Sequence, residues 1–431
     1  MSAYHKKVKQ SIEKFDPRLF TTALTLPDLQ EAVKGRFTSL CTALGIQTLI
    51  TMMDQDVEAV AGPKGKHDPN RIAYRHGSQA TSIPMGGQRL AIERPRMRSI
   101  TTGQELPIPS YEAFANDDQL IEAALGRMLY GMSTRDYTYG IDDYSDVAES
   151  FGTSKSAVSR RFIKATEAEV KKVLGRRFDD KKIIVLLIDG IVLGDYTVIV
   201  AIGIGDDGEK HLMGVRVGST ENATVCRDLL TDLIDRGLQY QDGILAVIDG
   251  AKALRKALKE VFGQKVLVQR CQVHKMRNVL DYLPKYKREW MRRQLKKAWA
   301  SSTAEEAIRK LRALATNLQA EYPDAAASLR EGLEETVTIL KLQVPELLRK
   351  SLRSTNIIES AFSMVAKNIK NVKNWKSGTM VQRWVSAALL DAERRANRIH
   401  GYRSMSILVA EIKRLTTAVD TDHAENGSKT A

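Results

Sequence analysis

The chain has 431 residues, with 66 Lys and Arg against 52 Asp and Glu, a formal net charge of +14. Its length suggests two to four structural units at roughly 100–200 residues each, and 43% hydrophobic with 27% charged residues fits a soluble globular protein. The longest apolar run, Ile183 to Ile188, has six residues, which excludes a membrane helix of about 20 residues and leaves a polyanion as the expected partner class.

The opening Met1-Ser2-Ala3-Tyr4-His5-Lys6-Lys7 has no apolar stretch of the kind a secretory signal requires. Residues 1–62 read as a helical region, with Phe37, Leu40, Cys41 and Leu44 at helical spacing. Gly62-Pro63-Lys64-Gly65 breaks the pattern, and residues 63–110 read as a small β-containing segment from Ile83 to Met97, turning on Gly86-Gly87. Residues 111–180 return to helix and hold a helix-turn-helix candidate: Ser145–Phe151, then Gly152, then Ser154–Phe162. Capped by Ser154, the second helix would pack Ala157, Val158 and Phe162 inward and present Lys155, Ser156, Ser159 and Arg160 to phosphates and base edges. An ordinary helical hairpin with a solvated face fits the same pattern.

From Lys181 the texture changes to short β-rich runs. Ile183-Ile-Val-Leu-Leu-Ile188 ends in Asp189-Gly190. Extended runs at Thr197–Gly203 and His211–Val217 are joined through Asp206-Asp207-Gly208, a hairpin signal. A helix over Asn222–Arg236 follows, then Gly243-Ile-Leu-Ala-Val-Ile248 ending in Asp249-Gly250, then a helix (Ala251–Phe262) and a strand (Lys265–Gln269). In a ribonuclease-H-like sheet of this βββαβαβ order, Asp189 and Asp249 would lie a few ångströms apart. Two such carboxylates repel unless a cation neutralises them, and hard oxygen ligands suit Mg²⁺, with Mn²⁺ as substitute. Two ions could activate a water or 3′-hydroxyl and stabilise the leaving oxygen of a phosphodiester. Asp-Gly also simply terminates strands.

Residues 181–275 thus read as an α/β unit, 276–350 as a charged all-helical stretch, 351–415 as a last helical segment, and 416–431 as a polar, frayed tail. Glu359 is the candidate third carboxylate, although Asn356-x-x-Glu359 also resembles a capping box. Cys271-Gln-Val-His274 has ligand spacing without a second pair, so a buried Cys and His fit it better than zinc. The three scattered cysteines favour a reducing compartment. The net charge is patterned: segments 89–98, 151–180, 276–300 and 365–400 carry +3, +4, +6 and +6, leaving the other 330 residues at −5.

Several motifs, in order and spacing, resemble the Mutator-type transposases of bacterial insertion sequences. They are Tyr74-Arg75-His76-Gly77, Arg94-Pro95-Arg96-Met97-Arg98, Gly131-Met132-Ser133-Thr134-Arg135 and Ser156-Ala157-Val158-Ser159-Arg160. Beyond these come Ile188-Asp189-Gly190, Gly218–Ala223, Ile248-Asp249-Gly250, Cys271-x-x-His274 and Ser354-Thr355-Asn356-x-x-Glu359. The resemblance implies an α/β, ribonuclease-H-like DDE catalytic core with a mixed sheet, its first part over 181–275 and its helical completion over 351–415, split by an all-α insertion over 276–350, behind largely helical N-terminal DNA-binding domains. It implies that Asp189, Asp249 and Glu359 are the catalytic, metal-binding carboxylates, with two Mg²⁺ ions per site, and that Cys271 and His274 support them. Its implied activity is cleavage at terminal inverted repeats and 3′-hydroxyl strand transfer into target DNA, by a homodimer or larger assembly in the bacterial cytoplasm, at the nucleoid.

Contacts to double-stranded DNA are expected from Arg94, Arg96 and Arg98, from Lys285, Lys287, Arg288, Arg292, Arg293, Lys296 and Lys297 in the insertion, and from Arg353, Lys370 and Lys373 around Glu359. Trp290 and Trp299 read as packing residues. The stretch after Glu359 carries lysines and Trp375 where many members are arginine-rich. An inactive DNA-binding regulator and a structure-selective nuclease of the same fold are the competing readings.

Overall fold

The structure is a computed structural model. It describes the backbone of residues 26–427 except 67, 146 and 219–222, and side chains from 41 to 417 within that range. The chain divides into two compact units, residues 1–165 and 166–431.

In the first unit, helix α1 (Leu26–Ala61) buries Ala43, Ile46, Leu49, Met53 and Val57 against a long antiparallel hairpin, β1 (Ala73–Met85) and β2 (Gln88–Ser99). The stripe expected from Phe37 to Leu44 is displaced. Cys41 and Leu44 are exposed, and the Phe37 and Leu40 side chains lie outside the described residues. The hairpin instead meets the face carrying Ile46, Met53 and Val57. Gly86 and Gly87 supply its turn with φ of 60° and 95°, a left-handed pair that glycine adopts without cost. A two-residue strand, β3 (Glu105–Leu106), extends the sheet, and α2 (Pro109–Ala115) and α3 (Asp118–Leu129) follow.

The helix expected over Ser145–Phe151 is absent. One turn, closed by the Val147 and Ala148 N–H groups on the Tyr144 carbonyl, leads into β4 (Ser150–Phe151), which pairs with β2. Burial of Tyr144, Val147 and Ala148 in the hairpin's core overrides local helix propensity. The second helix does form, as α4 (Lys155–Gly175). The Ser154 hydroxyl accepts the Ala157 N–H at 3.3 Å, and Val158 and Phe162 are buried.

The second unit is built on a five-stranded mixed sheet, in the order β7-β6-β5-β8-β9, with β5 (Ile183–Leu193), β6 (Tyr196–Gly205), β7 (Lys210–Gly218), β8 (Ile244–Ile248) and β9 (Val266–Arg270). β5 pairs antiparallel with β6 and parallel with β8; β8 pairs parallel with β9. α5 (Ala223–Asp235) and α6 (Lys252–Phe262) cover one face. Their Leu229, Leu233, Leu254 and Leu258 pack on Leu186, Ile188, Ala246 and Ile248. The register shift between Ile183 and Val185 sets this alternation, which assigns Leu187 and Asp189 to the opposite face.

That opposite face meets α13 (Asn356–Asn368) and α14 (Gly378–Arg394), packed against β5 and β7 respectively. Between β9 and α13 lies the helical insertion: α7 (Gln272–Asp281), α8 (Lys285–Trp299), α9 (Ala304–Leu318), α10 (Pro323–Arg330), α11 (Thr338–Lys341) and α12 (Glu346–Leu352). It has its own core of Val279, Met291, Leu295, Leu311, Ala326 and Val337. Lys275, fully buried, donates to the carbonyls of Ser328 and Glu331 and fixes α7 to the end of α10. Thr416, expected to open a frayed tail, is buried inside α15 (Met405–Gly427), where its hydroxyl donates to the Ile412 carbonyl. Among the described residues no helix is long and apolar enough to cross a membrane.

Candidate active site

Parallel pairing brings the two aspartates together. Ile188 of β5 and Ile248 of β8 are register partners, so Asp189 stands level with Asp249; Asp249 follows the end of β8 as expected, but Asp189-Gly190 does not end β5, which stays paired with β6 as far as Leu193. Adjacent strands lie about 4.8 Å apart. Asp189 Oδ1 accepts the Gly190 N–H at 2.9 Å within β5, and Asp249 Oδ1 accepts the Ala251 N–H at 2.8 Å after β8, which aligns each carboxylate on the backbone that follows it. Gly250 has φ of 109° and lies against the Arg270 guanidinium, where a Cβ would collide. Gly250→Ala is therefore expected to displace the Asp249 turn and to cost about 1–3 kcal/mol of stability; an unchanged melting curve would refute this.

Glu359 stands in the first turn of α13, below Thr355. The capping box centred on Asn356 does not form. Thr355 is the residue preceding the helix, and its hydroxyl bonds the Glu359 Oε1 at 3.0 Å instead of a backbone N–H. Helix capping thus does not account for the glutamate. Asp189 feels both other carboxylates. Burial first, then Asp249 and Glu359, push it up to about 6, against the Gly190 N–H and the His274 imidazole, which pull it down.

Cys271 and His274 join the same cluster. Cys271 follows β9 and begins α7, its sulfur accepting the His274 N–H at 3.4 Å and the Thr355 N–H at 3.4 Å. Burial would raise the thiol, but hydrogen bonds from His274 and Thr355 outweigh it and hold it below its usual range. His274 is raised, chiefly by its bond to Cys271 and then by the negative charge of Asp189 and Glu359. Ligand atoms of Cys271, His274 and Glu359 lie within 4.8 Å of one another; the three carboxylates do not form so tight a set among the described residues.

Residues 28–397 match the description "Transposase, Mutator family". The chain belongs to that family. It is 28% identical over 326 residues to the transposase for insertion sequence element ISRM5 of Rhizobium meliloti (strain 1021), covering 73% of this chain and 79% of the relative. It is 27% identical over 351 residues to the transposase for IS256 in transposon Tn4001 of Staphylococcus aureus, covering 79% and 86%. With the transposase for IST2 of Acidithiobacillus ferrooxidans it shares 31% over 215 residues, 50% of this chain and 71% of the relative.

The residues of this Mutator-family chain expected to meet DNA fall into two groups. Lys155, Ser156 and Arg160 are exposed on α4 and Ser159 is half-buried; Lys285, Arg293, Lys296 and Lys297 are exposed on α8, as are Arg353, Lys370 and Lys373 near α13. Others are already engaged. Arg94 and Arg96 both bind Glu105, at 3.1 and 2.5 Å, because alternate residues of β2 share a face with β3. Arg98 is half-buried, with its Nε unpartnered. Lys287 pairs with Glu321 at 2.8 Å, Arg292 with Glu289 at 2.5 Å, and Arg288 donates to the Leu283 carbonyl at 2.8 Å. Trp299 is buried with its Nε1 donating to Thr336 Oγ1, as packing requires, but Trp290, expected to pack as well, is 40% exposed.

Sequence reasoning passed over two functional neighbours. Thr355 stood in the quoted motif, but its partners are 81 and 84 positions away, at His274 and Cys271. Arg270 was visible only as the residue at the end of β9; its packing on Gly250 and its bond to the Glu331 carbonyl at 3.0 Å arise from the fold.

Proposed function

We propose that this chain is a DDE transposase on a ribonuclease-H-like core that binds the terminal inverted repeats of a mobile element and catalyses strand cleavage and 3′-hydroxyl transfer, with Asp189, Asp249 and Glu359 as its carboxylates. The observation that carries this reading is the parallel register of β5 and β8, which sets Asp189 beside Asp249, with Glu359 close enough to raise the Asp189 carboxyl. The strand order and the insertion before Glu359 support the same reading.

The donor set fits divalent magnesium. The charged groups acting on Asp189 are two carboxylates and one imidazole, and an oxygen-rich set with excess negative charge suits a hard cation. Asp189, Asp249 and Glu359 would hold two such ions, which would supply Lewis acidity at the scissile phosphate and lower the pKa of a bound water. The protein's residues do the rest. The Gly190 and Ala251 N–H groups and the Thr355 hydroxyl keep the three carboxylates aligned. Water oxygen attacks phosphorus and the bond to O3′ breaks, releasing a 3′-hydroxyl; that oxygen then attacks a target phosphate and displaces its O3′. Exposed cations on α4, α8 and around α13 would position the duplex, in a homodimer or larger assembly.

The test is incubation of the full chain with labelled terminal-repeat DNA and Mg²⁺, scoring nicks, double-strand breaks and joined products separately. Metal-dependent nicking at the repeat end followed by joining is expected. Tight binding with no nicking would make the chain a regulator, and cutting of branched DNA without joining would make it a nuclease. Cys271→Ala is expected to lower cleavage several-fold through lost alignment of Thr355 and His274, and the purified wild-type chain to contain no zinc. Stoichiometric zinc by elemental analysis would reassign the pair as a metal site.

A further inference from the structure

Trp290 is not alone in the solvent. Tyr286, one turn before it on α8, is 79% exposed, and Tyr282, just past the end of α7, is 56% exposed. Of the other tryptophans, Trp299 and Trp384 are buried and Trp375 is half-buried. An aromatic side chain covers about 150–250 Å² when it packs, so neighbouring rings left in water mark a surface that something else covers.

Helical spacing makes these rings part of a stripe. Tyr286, Trp290, Arg293 and Lys297 succeed one another at intervals of four, three and four residues, so they share one face of α8, and all four are exposed. Arg293 and Lys297 have no ion pair among the described residues, and neither has Lys285 next to Tyr286. The Tyr286 ring is anchored, its hydroxyl 3.1 Å from that of Tyr322, whose own ring lies 4.5 Å from Lys287 Nζ.

Cations alone are enough to hold a duplex by its phosphates, because its bases are already paired and stacked inside. Rings become useful where bases are unpaired and each offers a face to stack on. Four residues along α8 separate Tyr286 from Trp290 by about 6 Å of helix axis, well over the step of about 3.4 Å between bases of a duplex strand. That separation suits bases that have been spread apart. A second copy of the chain suits the stripe poorly, since a symmetric contact would set its free cations against themselves.

We propose that the face of α8 formed by Tyr286, Trp290, Arg293 and Lys297 binds unpaired nucleotides of DNA, the two rings stacking on bases and the two cations meeting the adjoining phosphates. The source of those nucleotides rests on the function proposed above: a strand cut at the end of the element leaves bases free to part from their partners. The affinity for unpaired nucleotides does not rest on it.

The test uses the full chain in EDTA, so that no strand is cut. The probes are oligodeoxythymidine, a paired terminal-repeat duplex, and the same duplex with unpaired thymines at its end. Wild type is expected to bind the oligonucleotide with quenching of tryptophan fluorescence, and the unpaired end about tenfold more tightly than the paired one, the scale of one stacked base. Trp290→Leu keeps an apolar side chain without a stacking face. It is expected to weaken oligonucleotide binding by about tenfold and paired-duplex binding by less than about threefold, with Tyr286→Leu acting in the same sense. Trp290→Phe keeps a ring, and is expected to bind the oligonucleotide within about threefold of wild type while losing the quenching.

Oligonucleotide affinity unchanged in both leucine variants overturns the proposal. So does a phenylalanine variant as weak as leucine, or an equal loss on paired and unpaired ends, because stacking would then not be what holds the strand. A leucine variant with altered self-association and unchanged oligonucleotide binding would make the stripe a contact between copies, which also overturns it. Oligonucleotide binding that depends on Trp290, in a chain that never nicks terminal-repeat DNA with Mg²⁺, would sustain this inference while the transposase reading fails. Nicking without any such dependence would do the reverse.

Discussion

Asp189→Asn is expected to lower strand cleavage by about a thousandfold or more while leaving terminal-repeat binding within a few fold. The asymmetry follows from where Asp189 sits. It stands within β5 directly after the fully buried run Leu186 to Ile188, beside Asp249 and under the influence of Glu359, and the three together concentrate negative charge that repels a phosphodiester in the absence of a cation. On the function proposed above, the carboxylate would contribute to catalysis by holding metal and contribute little to holding DNA. A metal at the scissile phosphate supplies several kcal/mol of transition-state stabilisation, and about 4 kcal/mol corresponds to roughly three orders of magnitude in rate.

Asparagine keeps the size of aspartate and its acceptor oxygen toward the Gly190 N–H, but not the charge. The fold should survive, because the neutral amide no longer has to be buried as an anion beside two others. Retained Mg²⁺-dependent cleavage by this variant would remove Asp189 from the mechanism. Equal loss of cleavage and of DNA binding would mean that the substitution had disturbed the fold or the DNA surface.

The legible parts of this protein were those governed by local pattern. Runs such as Ile183–Ile188 and Ile244–Ile248 announce buried parallel strands, and each is followed by Asp-Gly, so the sheet and both aspartates could be read directly. Asp206-Asp207-Gly208 announced the β6–β7 turn for the same reason. Tertiary competition defeated the reading elsewhere. Ser145–Phe151 has helical spacing, but its backbone pairs with β2 and its side chains fill the hairpin's core. Arg94 and Arg96 read as free cations until Glu105 was placed beside them by β3. The Cys271–His274–Thr355–Glu359 cluster depends on two helix starts about 80 residues apart meeting, and no local pattern encodes that distance.

The largest effect on DNA affinity is expected from α8, and its size depends on which cations are free. Of the seven basic residues named there, Lys287, Arg288 and Arg292 are held by Glu321, the Leu283 carbonyl and Glu289. Lys285, Arg293, Lys296 and Lys297 are exposed and have no ion pair among the described residues. A cation already paired within the protein gains little by exchanging one anion for another, whereas a free one releases counterions when it meets a phosphate. Replacing the four free residues with Gln is expected to weaken terminal-repeat binding by about two to three orders of magnitude at about 0.1 M salt, and to flatten the slope of log affinity against log salt by up to about 3.6 if each residue meets one phosphate. Lys287→Gln with Arg292→Gln is expected to change affinity by less than about threefold. Salt titrations of both variants by fluorescence anisotropy separate the outcomes. A fourfold variant with an unchanged slope would take α8 off the DNA path and leave α4 and the segment around α13 as the surfaces to examine. A paired variant as weak as the fourfold one would mean that the ion pairs open on DNA, so that the whole basic face of α8 takes part.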